Sequence, residues 1–167
     1  MNKQQTISKP VSLKGVGIHS GNEVNLTFKP ANEDFGYAFC RTDLPGKPII
    51  KADVNYVVST ERGTTLEKNG VNIQTSEHVL AALTGLEIDN VLIEIDASEP
   101  PIMDGSSKFF VKALIDAGIE EQSKDRNEYV VKEIISYYDE KSGSDITVLP
   151  SDSYEVTAMV DFGTKIL

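Results

Sequence analysis

The chain has 167 residues, 40% hydrophobic and 25% charged, which is enough apolar content for a real core in one domain or two small ones. With 16 Lys and Arg against 26 Asp and Glu, the formal net charge of −10 argues against nucleic acid or an anionic membrane surface as a partner. The single cysteine excludes an internal disulfide framework, and no apolar run approaches the roughly 20 residues that cross a bilayer. The polar opening, residues 1–9, lacks the apolar core of a signal peptide, so the expected location is the cytoplasm.

The first forty residues read as strands. Val24, Leu26 and Phe28 alternate with Asn25, Thr27 and Lys29, the period of two of a half-buried strand. Gly15, Gly17 and Gly21 are expected to bracket the turn before it; Pro30-Ala31-Asn32 makes the turn after it, and a strand resumes over residues 37–41. Cys40, inside the apolar run Tyr37-Ala38-Phe39-Cys40, reads as a buried structural thiol. Residues 64–68 and 71–75 flank Asn69-Gly70, the dipeptide suited to a type I′ turn, and predict a tight hairpin. The period then changes. Residues 76–84 predict a helix with Val79, Leu80 and Leu83 inward and Gly85 as its stop. Val91, Ile93 and Ile95 form the next strand, broken by Glu99-Pro100-Pro101. A second helix is predicted over residues 106–117, with Phe110, Val111, Leu114 and Ile115 as its apolar face and Gly118 after it. Residues 120–127 hold no large apolar side chain and read as a linker.

Beyond the linker the pattern returns. Ile146-Thr147-Val148-Leu149-Pro150-Ser151-Asp152 echoes Leu26-Thr27-Phe28-Lys29-Pro30-Ala31-Asn32 at an offset of 120 residues, and Ala158-Met159 matches Ala38-Phe39 at the same offset. Either one domain is duplicated or two strand pairs happen to be alike. On a duplication, Leu167 corresponds to Lys47, so residues 1–126 form a first domain and residues 127–167 the incomplete start of a second. The second sheet would lack the helical layer that covers an apolar face, making the chain a fragment. Its unpaired edges predict self-association through the truncated second domain, strand exchange, or disorder beyond about Asn127.

Glu77-His78 is the densest chemical signal, a carboxylate and an imidazole where a strand gives way to a helix. A glutamate in a first helical turn is favoured by ~0.3–1 kcal/mol without any catalytic role. A catalytic zinc takes about three protein ligands and an open position, whereas the nitrogen and sulfur donors here are His19, His78 and Cys40. A set of His19, His78 and Asp104 is conceivable, although no spacing requires it. Metalloprotease and zinc-finger spacings, a Gly-x-Ser-x-Gly elbow and a phosphate loop are all missing. Asp104, Ser106 and Ser107 read by default as caps of the second helix, and residues 59–65 as a solvated loop. The residues alone leave two classes open: a hydrolase, or a non-catalytic binding or scaffold domain in which Glu77 and His78 merely end a helix.

Six segments taken in order carry a resemblance: residues 13–21 (Leu-Lys-Gly-Val-Gly-Ile-His-Ser-Gly), 39–44, Thr75-Ser76-Glu77-His78, residues 83–90, Pro101-Ile102-Met103-Asp104-Gly105-Ser106, and 116–119. Together they resemble the UDP-3-O-acyl-N-acetylglucosamine deacetylase family of bacterial lipid A synthesis, closely over residues 10–122 and loosely beyond. The resemblance implies an α+β fold, a two-layer β-α-α-β sandwich occurring twice, with a small inserted hairpin sheet and the active site between the copies. It implies zinc-dependent removal of the N-acetyl group from a UDP-linked acylated amino sugar, with Glu77 as general base and His78 as one zinc ligand. His19, Thr60 and Asp104 lie at family positions that support the site or the substrate. The inserted sheet shapes a passage for the acyl chain, where Glu61-Arg62 stands in place of an apolar pair. Two further zinc ligands, from a His-Lys-x-x-Asp motif, and another catalytic His are implied in the second copy; residues 1–167 do not contain that motif. The expectation is therefore an N-terminal fragment of a zinc hydrolase, inactive alone.

Overall fold

In the computed structural model, which describes residues 2–160, the chain divides into two units, residues 1–126 and 127–167. Met1 and residues 161–167, part of the expected second domain, lie outside the described residues.

The first unit begins with β1 (Lys3–Ile7), β2 (Val11–Val16), β3 (Glu23–Pro30), β4 (Tyr37–Arg41) and β5 (Ile49–Lys51). Three short strands follow, β6 (Val57–Ser59), β7 (Thr65–Lys68) and β8 (Val71–Ile73), and then α1 (Glu77–Gly85), β9 (Val91–Ile95), α2 (Lys108–Ala117) and β10 (Ile119–Asp125). The main sheet has the order β2-β3-β9-β4-β5, with β9 and β4 parallel and the other pairs antiparallel. The fold is thus mixed α+β, with few helices and several sheets.

The alternation read from the sequence decides which face is buried. Val24, Leu26 and Phe28 of β3 are fully buried, and the register sets Leu26 opposite Ile95 and Phe28 opposite Ile93. Helix α1 adds Val79, Ala82 and Leu83 to the same core, and α2 adds Phe110, Leu114 and Ala117. The rings of Phe28 and Phe110 meet edge to face, with centroids 6.3 Å apart and planes at 84°. Strand β4 is buried almost without alternation through Arg41, in keeping with its parallel neighbour. Arg41 is satisfied by a two-point pairing with Asp43 and by donating to the carbonyl of Asn72, which pins the small sheet β6-β7-β8 to the end of β4.

The Asn69-Gly70 hairpin forms as expected: the two residues take φ of 52° and 76°, and Lys68 pairs with Val71. Four other expectations are corrected. Gly15 lies within β2 opposite Val24, so the turn begins at Gly17. Gly85 is the last residue of α1, and the left-handed residue is Glu87, at φ 56°. There the N–H of Glu87 donates to Thr84 and that of Ile88 to Leu83, the paired closure of a Schellman motif. Arg126 supports this non-glycine closure by contacting the Glu87 carbonyl and carboxylate and by pairing with Asp89. Ile115 is 57% exposed, because the buried stripe of α2 runs Phe110, Ala113, Leu114, Ala117. The supposed linker is β10, antiparallel to β1. A ladder needs backbone groups only, so the exposed polar side chains of Glu120, Glu121 and Lys124 do not oppose it.

In the second unit, β11 (Ile135–Asp139) pairs antiparallel with β12 (Ser144–Val148), Ile135 opposite Val148. The strand expected around Ala158-Met159 does not form: residues 154–160 have no ladder partner among the described residues. No helix among the described residues is long and apolar enough to cross a membrane.

Candidate active site

The route from β8 into α1 is a sharp corner. Gln74 donates its N–H to Ser98 at 2.8 Å, and Thr75 then takes φ 52°. Left-handed backbone costs a side-chain-bearing residue about 1–2 kcal/mol. Ser76, fully buried at the start of α1, turns its hydroxyl and its N–H to the carbonyl of Thr64 at 3.1 and 3.2 Å. Glu77 reaches the same residue from the other side: its Oε2 accepts the Thr64 N–H at 2.8 Å. Residue 64, at the edge of a loop expected to be plain solvated surface, therefore clamps the first turn of the helix.

Glu77 Oε1 lies 4.0 Å from His78 Nε2, and the two side chains are 40% and 31% exposed. The carboxylate and the imidazole thus share one partly open corner at the positive end of α1. The carbonyl of His78 accepts the hydroxyl of Ser107 at 2.9 Å, which ties the start of α2 to the start of α1. Ser107 thus stands at the N-cap of α2 as expected, but its hydroxyl braces His78 and makes no cap bond, while Ser106 Oγ accepts the Lys108 N–H at 3.2 Å. Asp104 is exposed and accepts the hydroxyl and N–H of Ser106 at 2.7 and 3.0 Å, bonds that hold its carboxyl below the ordinary aspartate range.

His19 is exposed in the turn between β2 and β3. It lines a cleft of about 140 Å³ together with Glu61, Arg62, Gly63, Thr65, Gln74 and Thr75. Gly63, which lines this cleft, lies against Glu77, since a Cβ on it would stand 3.3 Å from both Glu77 Oε1 and Thr75 Oγ1. Thr60 is exposed in the loop after β6 and is not among the lining residues.

Sequence reasoning passed over Glu99, treating it as part of a proline break. The residue is fully buried, and its carboxylate accepts the N–H groups of His19 and Ser20 and the hydroxyl of Thr75. Burial pushes its carboxyl up, but the bonds from Ser20, His19 and Thr75 together hold it below the ordinary glutamate range. A glutamate beside two prolines carries no signal of such burial. Cys40 is buried as expected, its thiol pushed up chiefly by desolvation and donating to the Lys47 carbonyl at 3.6 Å.

Among the described residues, no group of three or more His, Cys, Asp or Glu side chains is placed to hold a metal ion. His19, His78 and Asp104 do not form a self-contained set, and the described residues do not by themselves fit a zinc centre.

Residues 4–167 match the family described as LpxC, UDP-3-O-acyl N-acetylglycosamine deacetylase. The chain is 46% identical over 159 residues to the bifunctional enzyme LpxC/FabZ of Chlorobaculum tepidum, covering 95% of this chain and 34% of that protein. It is 42% identical over 167 residues to the protein of the same name from Bacteroides thetaiotaomicron, covering 100% of this chain and 36% of that one. It is 43% identical over 167 residues to the UDP-3-O-acyl-N-acetylglucosamine deacetylase of Hahella chejuensis, covering 100% and 55%. The chain therefore spans between about a third and just over half of the length of these relatives.

Proposed function

Because the chain belongs to the UDP-3-O-acyl N-acetylglycosamine deacetylase family, we propose that it supplies the proton-transfer side of a hydrolase. The whole protein would remove the N-acetyl group from UDP-3-O-acyl-N-acetylglucosamine in lipid A biosynthesis. The observation that carries this reading is the way Glu77 is held. One carboxylate oxygen is fixed by the Thr64 N–H at 2.8 Å, while the other faces His78 at 4.0 Å in a partly open corner. A carboxylate oriented through one oxygen keeps the other free to take a proton from an attacking water. Glu77 is the general base of that step and then returns the proton to the departing amine as acetate leaves, a role worth about 10²–10⁴-fold in rate.

His78 is assigned as one ligand of a zinc ion whose other ligands the described residues do not supply. His19, Thr60 and Asp104 are assigned supporting or substrate-contacting roles, of which His19 has the clearest basis because it lines the cleft. The repeat at an offset of 120 residues supports reading residues 127–167 as the opening of a second copy of the first domain. Exposed apolar side chains on β11 and β12, among them Tyr137 at 65% and Ile146 at 64%, support self-association through that unit.

The test grafts residues 4–167 into the Hahella chejuensis relative in place of its matching segment and measures acetate release from the UDP-sugar. The graft is expected to turn over, whereas residues 1–167 alone with added zinc are expected to release almost none. A folded graft without activity would favour the non-catalytic binding or scaffold reading. Robust turnover by residues 1–167 alone, abolished by Glu77→Gln, would instead remove only the claim of inactivity.

A further inference from the structure

We propose that Glu99 is a positioning residue for the Glu77–His78 site: from behind the cleft it ties the turn carrying His19 to the residue that launches α1. The inference takes its catalytic meaning from the hydrolase reading. Glu99 is fully buried, and its oxygens accept the His19 N–H at 3.1 Å, the Ser20 N–H at 2.9 Å and the Thr75 hydroxyl at 3.1 Å. Two of those three residues, His19 and Thr75, line the cleft. One carboxylate thus joins the β2–β3 turn to the corner at Thr75, although these lie 80 and 24 positions away in sequence.

The carboxylate itself is fixed. Before it, the Ser98 carbonyl accepts the Gln74 N–H at 2.8 Å; after it, Ile102 donates its N–H to Val16 at 3.0 Å. Gly17 closes the remaining side, since a Cβ there would stand 2.4 Å from Glu99 Oε2. The piece being held is strained, for Thr75 is a β-branched residue at φ 52°, a conformation such residues seldom adopt. Thr75 sets the direction in which Ser76 and Glu77 leave the sheet, and the bond from Thr64 N–H to Glu77 Oε2 reports whether that direction is kept.

Amide hydrogen exchange on the chain, read by NMR without substrate or metal, tests this. In Glu99→Gln the amides of His19, Ser20 and Thr64 should exchange about 10- to 100-fold faster, the factor expected when bonds to a charged acceptor are lost, while β3 and β9 stay protected. Uniform acceleration of every amide would make Glu99 merely structural and overturn the proposal. Acceleration at His19 and Ser20 with Thr64 unchanged would overturn it equally. If Glu99→Gln does not fold, Thr75→Val and Thr75→Ser decide: loss of Thr64 protection in the valine variant and its retention in the serine variant support the role, and equal protection in both refutes it. Because no turnover is measured, this result and the acetate-release result stand or fall separately.

Discussion

Gly17→Ala puts a known volume against a known obstacle. A Cβ at this position would come within 2.4 Å of Glu99 Oε2 and of Ser20 Oγ, whereas real Cβ atoms essentially never approach closer than 3.0 Å. The carboxylate would have to retreat by most of an ångström. Its bond to the Ser20 N–H, 2.9 Å long, would then stretch beyond hydrogen-bond range, and those to His19 at 3.1 Å would follow. Losing one bond to a charged group costs about 1.5–3 kcal/mol, and overpacking a tight site costs about 1–3 kcal/mol. The two overlap, so the expected loss is about 2–4 kcal/mol. With a urea m-value of about 2 kcal/mol/M, the midpoint should fall by roughly 1–2 M. The assay is urea unfolding followed by far-ultraviolet circular dichroism, since the chain has no Trp. Gly21→Ala is the control: that residue has φ 65° and nothing within 4 Å of an added Cβ, so its cost is the backbone penalty of about 1–2 kcal/mol. A Gly17→Ala variant as stable as wild type, or no less stable than Gly21→Ala, would refute the tight packing around Glu99.

Three further outcomes are expected. Phe110→Ala removes a fully buried ring in edge contact with Phe28 and should cost about 3–5 kcal/mol in the same urea assay; a loss below about 1 kcal/mol would contradict the core described for α2. Glu99 titrates below the ordinary glutamate range in the folded state, so its contribution is present above the unfolded value of about 4.3 and is lost as pH falls through the lower folded value. The stability gap between wild type and Glu99→Gln should therefore hold from pH 7 to pH 5 and shrink below about pH 4; a gap that widens on acidification would reverse the sign. Cys40, buried and with its thiol pushed up by desolvation, should react with a thiol reagent at least about tenfold more slowly in the native chain than in urea. Equal rates would show the thiol to be open.

What the sequence disclosed follows from how local each signal is. Val24, Leu26 and Phe28, then Val91, Ile93 and Ile95, carry their periodicity within a few residues, and both strands are where the pattern puts them. Asn69-Gly70 encodes its turn by itself. Strand β10 was hidden because its structure rests on backbone pairing with β1, at the other end of the unit. The end of α1 was legible to within one residue, but its left-handed closure falls at Glu87 and not at Gly85, supported by Arg126 from 39 residues away. At the site, Glu77 and His78 were legible as adjacent residue types, and the segments around Thr64 and Ser107 as polar clusters. Their contacts with Ser76, Glu77 and His78 were not, because each depends on the corner at Thr75. Glu99 was least legible of all, since a buried carboxylate and an exposed one are spelled the same way.

Glu77 is assigned as the group that moves the proton. The most direct measurement is the kcat for acetate release by the grafted deacetylase carrying residues 4–167, with and without Glu77→Gln, in a protein shown by circular dichroism to be folded. Gln keeps an acceptor for the Thr64 N–H but cannot take a proton, so kcat should fall by about 10²–10⁴-fold with KM little changed. An active graft in which Glu77→Gln leaves kcat unaltered would rule out Glu77 as that group.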